Sequence, residues 1–120
     1  MPHKSAAHLW DAREAARLLV NFSCSTSETS LATDDLVRSA IERQFEVLGE
    51  ALNRLRRDSS KLAASVPNLD RIVGMRNVIA HEYGEIDYEI VWRAATTDVP
   101  QLIPVLDRLL NEVAGASETE

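Results

Sequence analysis

The sequence predicts an all-α protein, a single antiparallel bundle of four main helices and one short helix. Apolar residues recur every three or four positions through several long segments, which is the period of an amphipathic helix. No strand pattern, internal repeat or glycine-rich phosphate loop interrupts this pattern. With 120 residues, the chain is long enough to form one domain around its own hydrophobic core.

The first predicted helix runs from Ser5 to about Phe22, with its apolar positions in 3-4-3 spacing: Leu9, Ala12, Ala16 and Leu19. Small hydroxylated residues dominate the next segment, 23–30. Because such side chains compete with the helix for backbone hydrogen bonds, this segment is predicted to be an exposed loop. Contact between its hydroxyls and a phosphate is the alternative.

The second predicted helix begins near Thr33 and continues to about Arg57. Its larger apolar residues keep 4-3-4-3 spacing: Ile41, Phe45, Leu48, Leu52 and Leu55. Smaller residues form a neighbouring second stripe: Ala40, Val47 and Ala51. A helix with two apolar stripes needs two packing partners, which favours a homodimer. Gly49 costs about 1 kcal/mol of helix propensity relative to alanine, so another helix is expected to approach closely there.

The third main helix is predicted from Leu69 to Tyr83. The residue before a proline is pushed out of helical geometry, so Val66 and Pro67 are expected to interrupt helical structure, and Asn68 is expected to cap the new helix. Gly84 follows the last turn, where glycine commonly ends helices.

The rest of the chain is predicted to hold a short helix capped by Asp87 and a last main helix that starts at Asp98. Residues 115–120 are expected to form a disordered acidic tail, which leaves 1–114 as the single helical domain.

Composition limits the possible functions. One cysteine, Cys24, and three scattered histidines give neither an intrachain disulfide nor a zinc spacing, so we expect a cytoplasmic protein without metal or cofactor. No apolar run approaches the roughly 20 residues of a membrane span. The net charge of −6 opposes non-specific nucleic-acid binding, so any RNA contact must be local.

One dense basic cluster follows the middle of the second helix, formed by Arg54, Arg56, Arg57 and Lys61. It is either a solvated helix end whose cations suit the helix dipole or a patch that faces phosphates. In the second case Arg54, Arg57 and Lys61 are the candidate RNA contacts.

The stretch 74–84 carries the side chains best suited to chemistry. On a helix, Arg76 and Tyr83 share a face, and Asn77 lies one turn from His81. Arg76 and His81 are about 140° apart, so they flank a groove or act together across a two-fold axis.

These residue types suit cleavage of a phosphodiester. Asn77 can orient the ring of His81, whose place near the helix end favours a general-acid role, and Arg76 offers a planar fork to phosphate oxygens. RNA would supply its own 2′-hydroxyl as nucleophile. The alternative is that Arg76 and His81 merely pair with nearby acids, namely Glu82, Glu85 or Asp87.

The sequence at these residues resembles the HepT-like toxins of the HEPN superfamily. The resemblance rests on the motif 76–83 and the segment 45–51 of the second helix, together with the flanking residues 72–75, 87, 89–92 and 98–100. It covers roughly Asp34 to Leu110. It implies an HEPN-like homodimer that acts on RNA as a metal-independent ribonuclease. Its Arg-x4-His motif would face a cleft between protomers, with Arg76, Asn77 and His81 as catalytic residues.

The resemblance also implies a type II toxin–antitoxin pair. The partner would be a minimal nucleotidyltransferase antitoxin of the MntA type, which transfers AMP from ATP to Tyr83. The competing hypothesis is a non-catalytic dimeric helical module that binds a nucleotide or a nucleotidyltransferase. Net acidity favours that module, whereas the intact motif favours the nuclease.

Overall fold

Seven α-helices and one π-helical turn make up the computed structural model of the protein, which describes residues 4–79 and 86–118. In chain order they are α1 (Lys4–Cys24), α2 (Glu28–Thr33), α3 (Asp35–Asp58), α4 (Ser60–Ala63), α5 (Leu69–Ile79), α6 (Tyr88–Arg93), the π-helical turn (Ala94–Asp98) and α7 (Val99–Glu118). The described ranges contain no strand. The predicted all-α fold is confirmed.

Helix α3 is the centre of the bundle. It packs against α1 on one side and α5 on the other, and α7 packs against the far side of α1. The large apolar stripe predicted on α3 is fully buried: Ile41, Phe45, Leu48, Leu52 and Leu55. In the second stripe only Ala51 is buried, while Ala40 and Val47 are half-buried.

The segment predicted as a loop is partly helical. Ser27 caps α2 because its side-chain oxygen accepts a hydrogen bond from the Ser30 N–H at 3.1 Å. Leu31, on this short helix, is completely buried in the core. The prediction was wrong over 23–24, where α1 continues and Ser23 is buried, and over 28–30. Serine competes with a helix in its interior, but it stabilises the first turn when it is the cap.

Two other helix starts differ from the sequence predictions. Asp34 caps α3 in place of Thr33, accepting from the N–H groups of Leu36 and Val37 at 2.9 and 3.4 Å. Asn68 precedes α5, but its φ of 58° lies in the left-handed region, whereas a side-chain cap has an extended backbone. It contributes its carbonyl oxygen, which accepts from the Ile72 N–H at 3.0 Å.

The C-terminal part is one continuous helical run. Asp87 caps α6 as predicted, accepting from the N–H groups of Glu89 and Ile90. Asp98 was predicted to start the last helix, but the π-helical turn joins α6 to α7 without a break, and Asp98 is buried against Arg71 at 3.3 Å. Helix α7 extends to Glu118, so it includes four residues assigned by the sequence to an acidic tail.

Within residues 4–79 and 86–118, none of the helices is long and apolar enough to span a membrane.

Candidate functional site

The candidate site is a groove along α3 that is bordered by α5 and by the Asp11 position of α1. It contains a cavity of about 230 Å³ whose walls are mainly charged. Three cations and three carboxylates face it together with two apolar residues: Arg43, Arg54, Arg76, Asp11, Glu46, Glu50, Val47 and Ala51. Arg76, the first residue of the predicted motif, therefore lies in an open polar groove beside the central helix.

The stem of Arg76 rests on Gly49. A Cβ atom at Gly49 would lie 3.1 Å from the Cδ atom of Arg76 and 3.4 Å from its Cγ atom, closer than side-chain carbons normally approach. The same Cβ would lie 3.8 Å from the Cα atom of Val73. The close helix approach predicted from Gly49 is confirmed, and the group that fills the space is the aliphatic part of Arg76.

The head of Arg76 is held by Glu50. Its Nη1 group donates to Glu50 Oε2 at 3.2 Å, and the other carboxylate oxygen, Oε1, accepts from the Nε group of Arg54 at 2.9 Å. The side chains of Glu50, Arg54 and Arg76 are 39, 54 and 42% exposed. Because these side chains are partly exposed, the two cations are accessible to an anionic ligand. Exposed ion pairs of this kind contribute little to stability.

A second cavity of about 250 Å³ adjoins Arg76 on the side of Ile79, the last described residue before 80–85. Glu42 and Glu46 line it as well. Partial burial raises the pKa of the Glu42 carboxyl above its usual range, and the nearby Arg38 guanidinium opposes this shift. Since Glu42, Glu46 and Glu50 follow one another at four-residue spacing, α3 presents a row of carboxylates along the groove.

The basic cluster does not act as one surface. Arg54 lines the cavity with Arg76, whereas Arg56 bonds Asp70 at 2.7 Å and Asn53 at 2.8 Å. Arg57 and Lys61 are exposed, and neither lines the cavity that holds Arg76.

The remaining motif residues divide into two groups. Asn77 is exposed on α5, next to Arg76. His81 and Tyr83 belong to residues 80–85, which lie outside the described residues, so their contacts with Asn77 and Arg76 stay predictions.

The partner of Arg76 among the described residues is Glu50, a residue that the sequence analysis did not single out. Of the alternative partners considered there, Asp87 instead accepts from backbone N–H groups of α6. The signal that could have identified Glu50 is its position after Gly49, inside the segment 45–51 that carries the resemblance.

Comparison with known proteins gives the same family over most of the chain. The family model described as "Ribonuclease HepT-like" matches residues 12–109. A candidate RNase of Methanocaldococcus jannaschii is 30% identical over 96 residues, which cover 80% of this chain and 87% of that relative. A second from the same organism is 25% identical over 112 residues, 93% and 92% of the two chains.

A probable ribonuclease HepT of Thermococcus cleftensis is 26% identical over 102 residues, which cover 85% of this chain and 92% of the relative. No solved structure matches the chain. The family match spans the bundle from α1 to α7 and includes the groove with Arg76. The resemblance inferred from the motif is confirmed, and the chain belongs to the HepT-like ribonuclease family.

Proposed function

We propose that this protein is a metal-independent endoribonuclease in which Arg76 and His81 are catalytic and Asn77 orients His81. The observation that carries the proposal is the setting of Arg76. Its stem packs on Gly49, its head is held by Glu50, and its guanidinium lies in an open groove. Membership in the HepT-like ribonuclease family supports RNA as the substrate.

The proposed reaction uses the nucleophile that RNA carries. The 2′-hydroxyl oxygen attacks the adjacent phosphorus and gives its proton to a solvent water. The bond from phosphorus to the 5′ oxygen breaks, protonated His81 donates its proton to that leaving oxygen, and solvent then returns a proton to His81. Arg76 stabilises the negative charge that develops on the phosphoryl oxygens. The products are a 5′-hydroxyl end and a 2′,3′-cyclic phosphate, which water can open to a 3′-phosphate.

The proposed active form is a homodimer. The support is the surface of α3, where Ala40 and Val47 of the second apolar stripe keep half-buried positions within one chain. A second copy would complete the burial of this stripe, and the two motifs would then face a shared cleft.

The proposed biological role is the toxin of a type II toxin–antitoxin pair. A minimal nucleotidyltransferase of the MntA type would neutralise it by transferring AMP to Tyr83. The added phosphate would bring a negative charge to a residue seven positions from Arg76, where it competes with RNA for the same cations.

A non-catalytic binding module is the second candidate function. The observation that favours it is the balance of charge in the groove, where three carboxylates offset three arginines and Arg76 is already paired with Glu50. Such a site would bind a nucleotide or a partner without cutting RNA.

Purified protein is expected to cut RNA in the presence of EDTA and to leave cyclic phosphate or 3′-phosphate ends. His81→Ala should reduce the rate more than Asn77→Ala, because it removes the proton donor and not only its orientation. Gel analysis of labelled RNA and end-group mapping measure both. The nuclease proposal fails if EDTA abolishes cleavage, or if wild type cuts no RNA under conditions in which its expression arrests growth.

Gly49→Ala is expected to lower the cleavage rate without lowering stability. Alanine gains up to about 1 kcal/mol of helix propensity, but its Cβ displaces the stem of Arg76. Gly74→Ala is the matched control, because no heavy atom of the described residues, outside its own helix backbone and chain neighbours, lies within 4 Å of the added Cβ. Thermal unfolding and cleavage assays of both variants are compared. Equal cleavage by the two variants would contradict the packing role assigned to Gly49.

Tyr83 is expected to gain mass equal to one or more AMP groups less water after co-expression with the nucleotidyltransferase encoded beside it. Tyr83→Phe should abolish the adduct and leave a chain that the partner no longer neutralises. Mass spectrometry of the intact chain and of its peptides tests this. An adduct that persists on Tyr83→Phe would place the switch at another residue.

Light scattering at micromolar concentration is expected to give twice the mass of one 120-residue chain. Val47→Glu should shift this mass toward the monomer, because it places a charge on the second apolar stripe. Asn111→Glu, which adds one negative charge at an exposed position of α7, controls for added charge. A monomer mass for the wild-type chain would contradict the homodimer.

A further inference from the structure

Glu50 is the one carboxylate among the described residues for which both oxygens bond a different arginine of the groove. We propose that Glu50 is a positioning residue, which holds Arg54 and Arg76 as a pair so that the site contacts an RNA strand at two neighbouring phosphate groups. This inference rests on the proposed ribonuclease function and deepens it. It assigns Glu50 a role and makes Arg54 the second phosphate contact.

Each of the two arginines uses only one of its donor groups in its contact with Glu50. Arg54 uses its Nε group and Arg76 uses one Nη group, and no other ion pair or hydrogen bond links either guanidinium to the described residues. A guanidinium has five N–H donors, so most donors of both side chains stay available. Both arginines line the same cavity, where those donors can reach an anion.

The side chain of Arg76 is held both along its aliphatic stem and at its guanidinium. Gly49 gives space to its aliphatic stem, and the next residue in the chain, Glu50, fixes its Nη1 group. Arg54 lies one turn after Glu50 on the same helix, so a single carboxylate sets the position of both cations. A long arginine side chain that is held at two points loses less conformational freedom when a phosphate binds.

Glu50 also adds a negative charge to the groove. The cavity contains as many carboxylates as arginines, so the negative charge of Glu50 opposes the binding of RNA. A carboxylate that opposes binding but aligns two cations is expected to improve the reaction rate at the expense of affinity. This expectation separates a positioning role from an electrostatic or a structural one.

Glu50→Gln is the decisive substitution. A glutamine has one acceptor oxygen in place of two and carries no negative charge, and its NH₂ group cannot accept from an arginine. It therefore no longer offers each guanidinium an anionic oxygen of its own. We expect Glu50→Gln to bind RNA at least as tightly as the parent, measured in a His81→Ala chain that does not cut. In a chain with His81 intact, single-turnover cleavage should fall by about tenfold or more, because the cations are no longer aligned.

The control is Glu112→Gln. Glu112 pairs with Arg108 at 3.7 Å in an exposed contact on α7, and it does not line the cavity. Like Glu50→Gln, this substitution removes a carboxylate that is paired with an arginine four residues away. Because Glu112 lies outside the groove, Glu112→Gln should leave cleavage, RNA affinity and the unfolding temperature unchanged.

Arg54→Ala tests the second cation. It should weaken RNA binding and reduce the slope of log affinity against log salt concentration by about one, as expected for the loss of one phosphate contact. Arg108→Ala is its control and should leave the slope unchanged.

Four results would overturn the proposal. The first is unchanged or faster cleavage by Glu50→Gln, and the second is a parallel loss of cleavage, RNA affinity and unfolding temperature in that variant. The third is an unchanged salt slope for Arg54→Ala, and the fourth is no RNA binding by the His81→Ala chain. If the wild-type chain cuts RNA and one of these occurs, only this inference fails. If the wild-type chain cuts no RNA, the proposed function itself fails.

Discussion

The contact between α3 and α5 at Gly49 is the constraint on which the site depends. A glycine inside a helix lowers helix propensity by about 1 kcal/mol relative to alanine. Here the missing side chain leaves the space that the Cγ and Cδ atoms of Arg76 occupy. The contact therefore directs the guanidinium into the groove, where Glu50 can reach it. The packing at Gly49 and the ion pair with Glu50 together fix the position of Arg76, on which the proposed chemistry depends.

The long helices were predictable because each has to bury one face. The 3-4 spacing of apolar residues identified α1 and α3, and every residue of the large stripe on α3 is buried. Short elements were less predictable because a cap or one buried residue decides them. Ser27 and Leu31 form α2 where hydroxyl-rich composition suggested a loop, and the π-helical turn removes the break expected at Asp98.

The candidate site was only partly accessible to sequence reasoning. Arg76 could be selected from its chemistry and from the motif around it, and Gly49 correctly indicated a close helix contact. Glu50 was not selected, although it follows Gly49 inside the segment 45–51, because its role depends on a neighbour 26 positions away on another helix. Arg54, Arg57 and Lys61 looked equivalent as a basic run, but Lys61 lies on α4, and of the other two, both on α3, only Arg54 lines the cavity. Periodicity tells which residues share a face and not which helix lies opposite.

The most direct test of this account is the single-turnover cleavage rate of Arg76→Lys. Lysine keeps the positive charge, but it lacks the planar fork that can contact Glu50 and a phosphate at once. The account predicts that Arg76→Lys binds RNA with an affinity close to that of wild type and cuts it at least about tenfold more slowly. Cleavage by Arg76→Lys at the wild-type rate would contradict it, because charge alone would then suffice at this position.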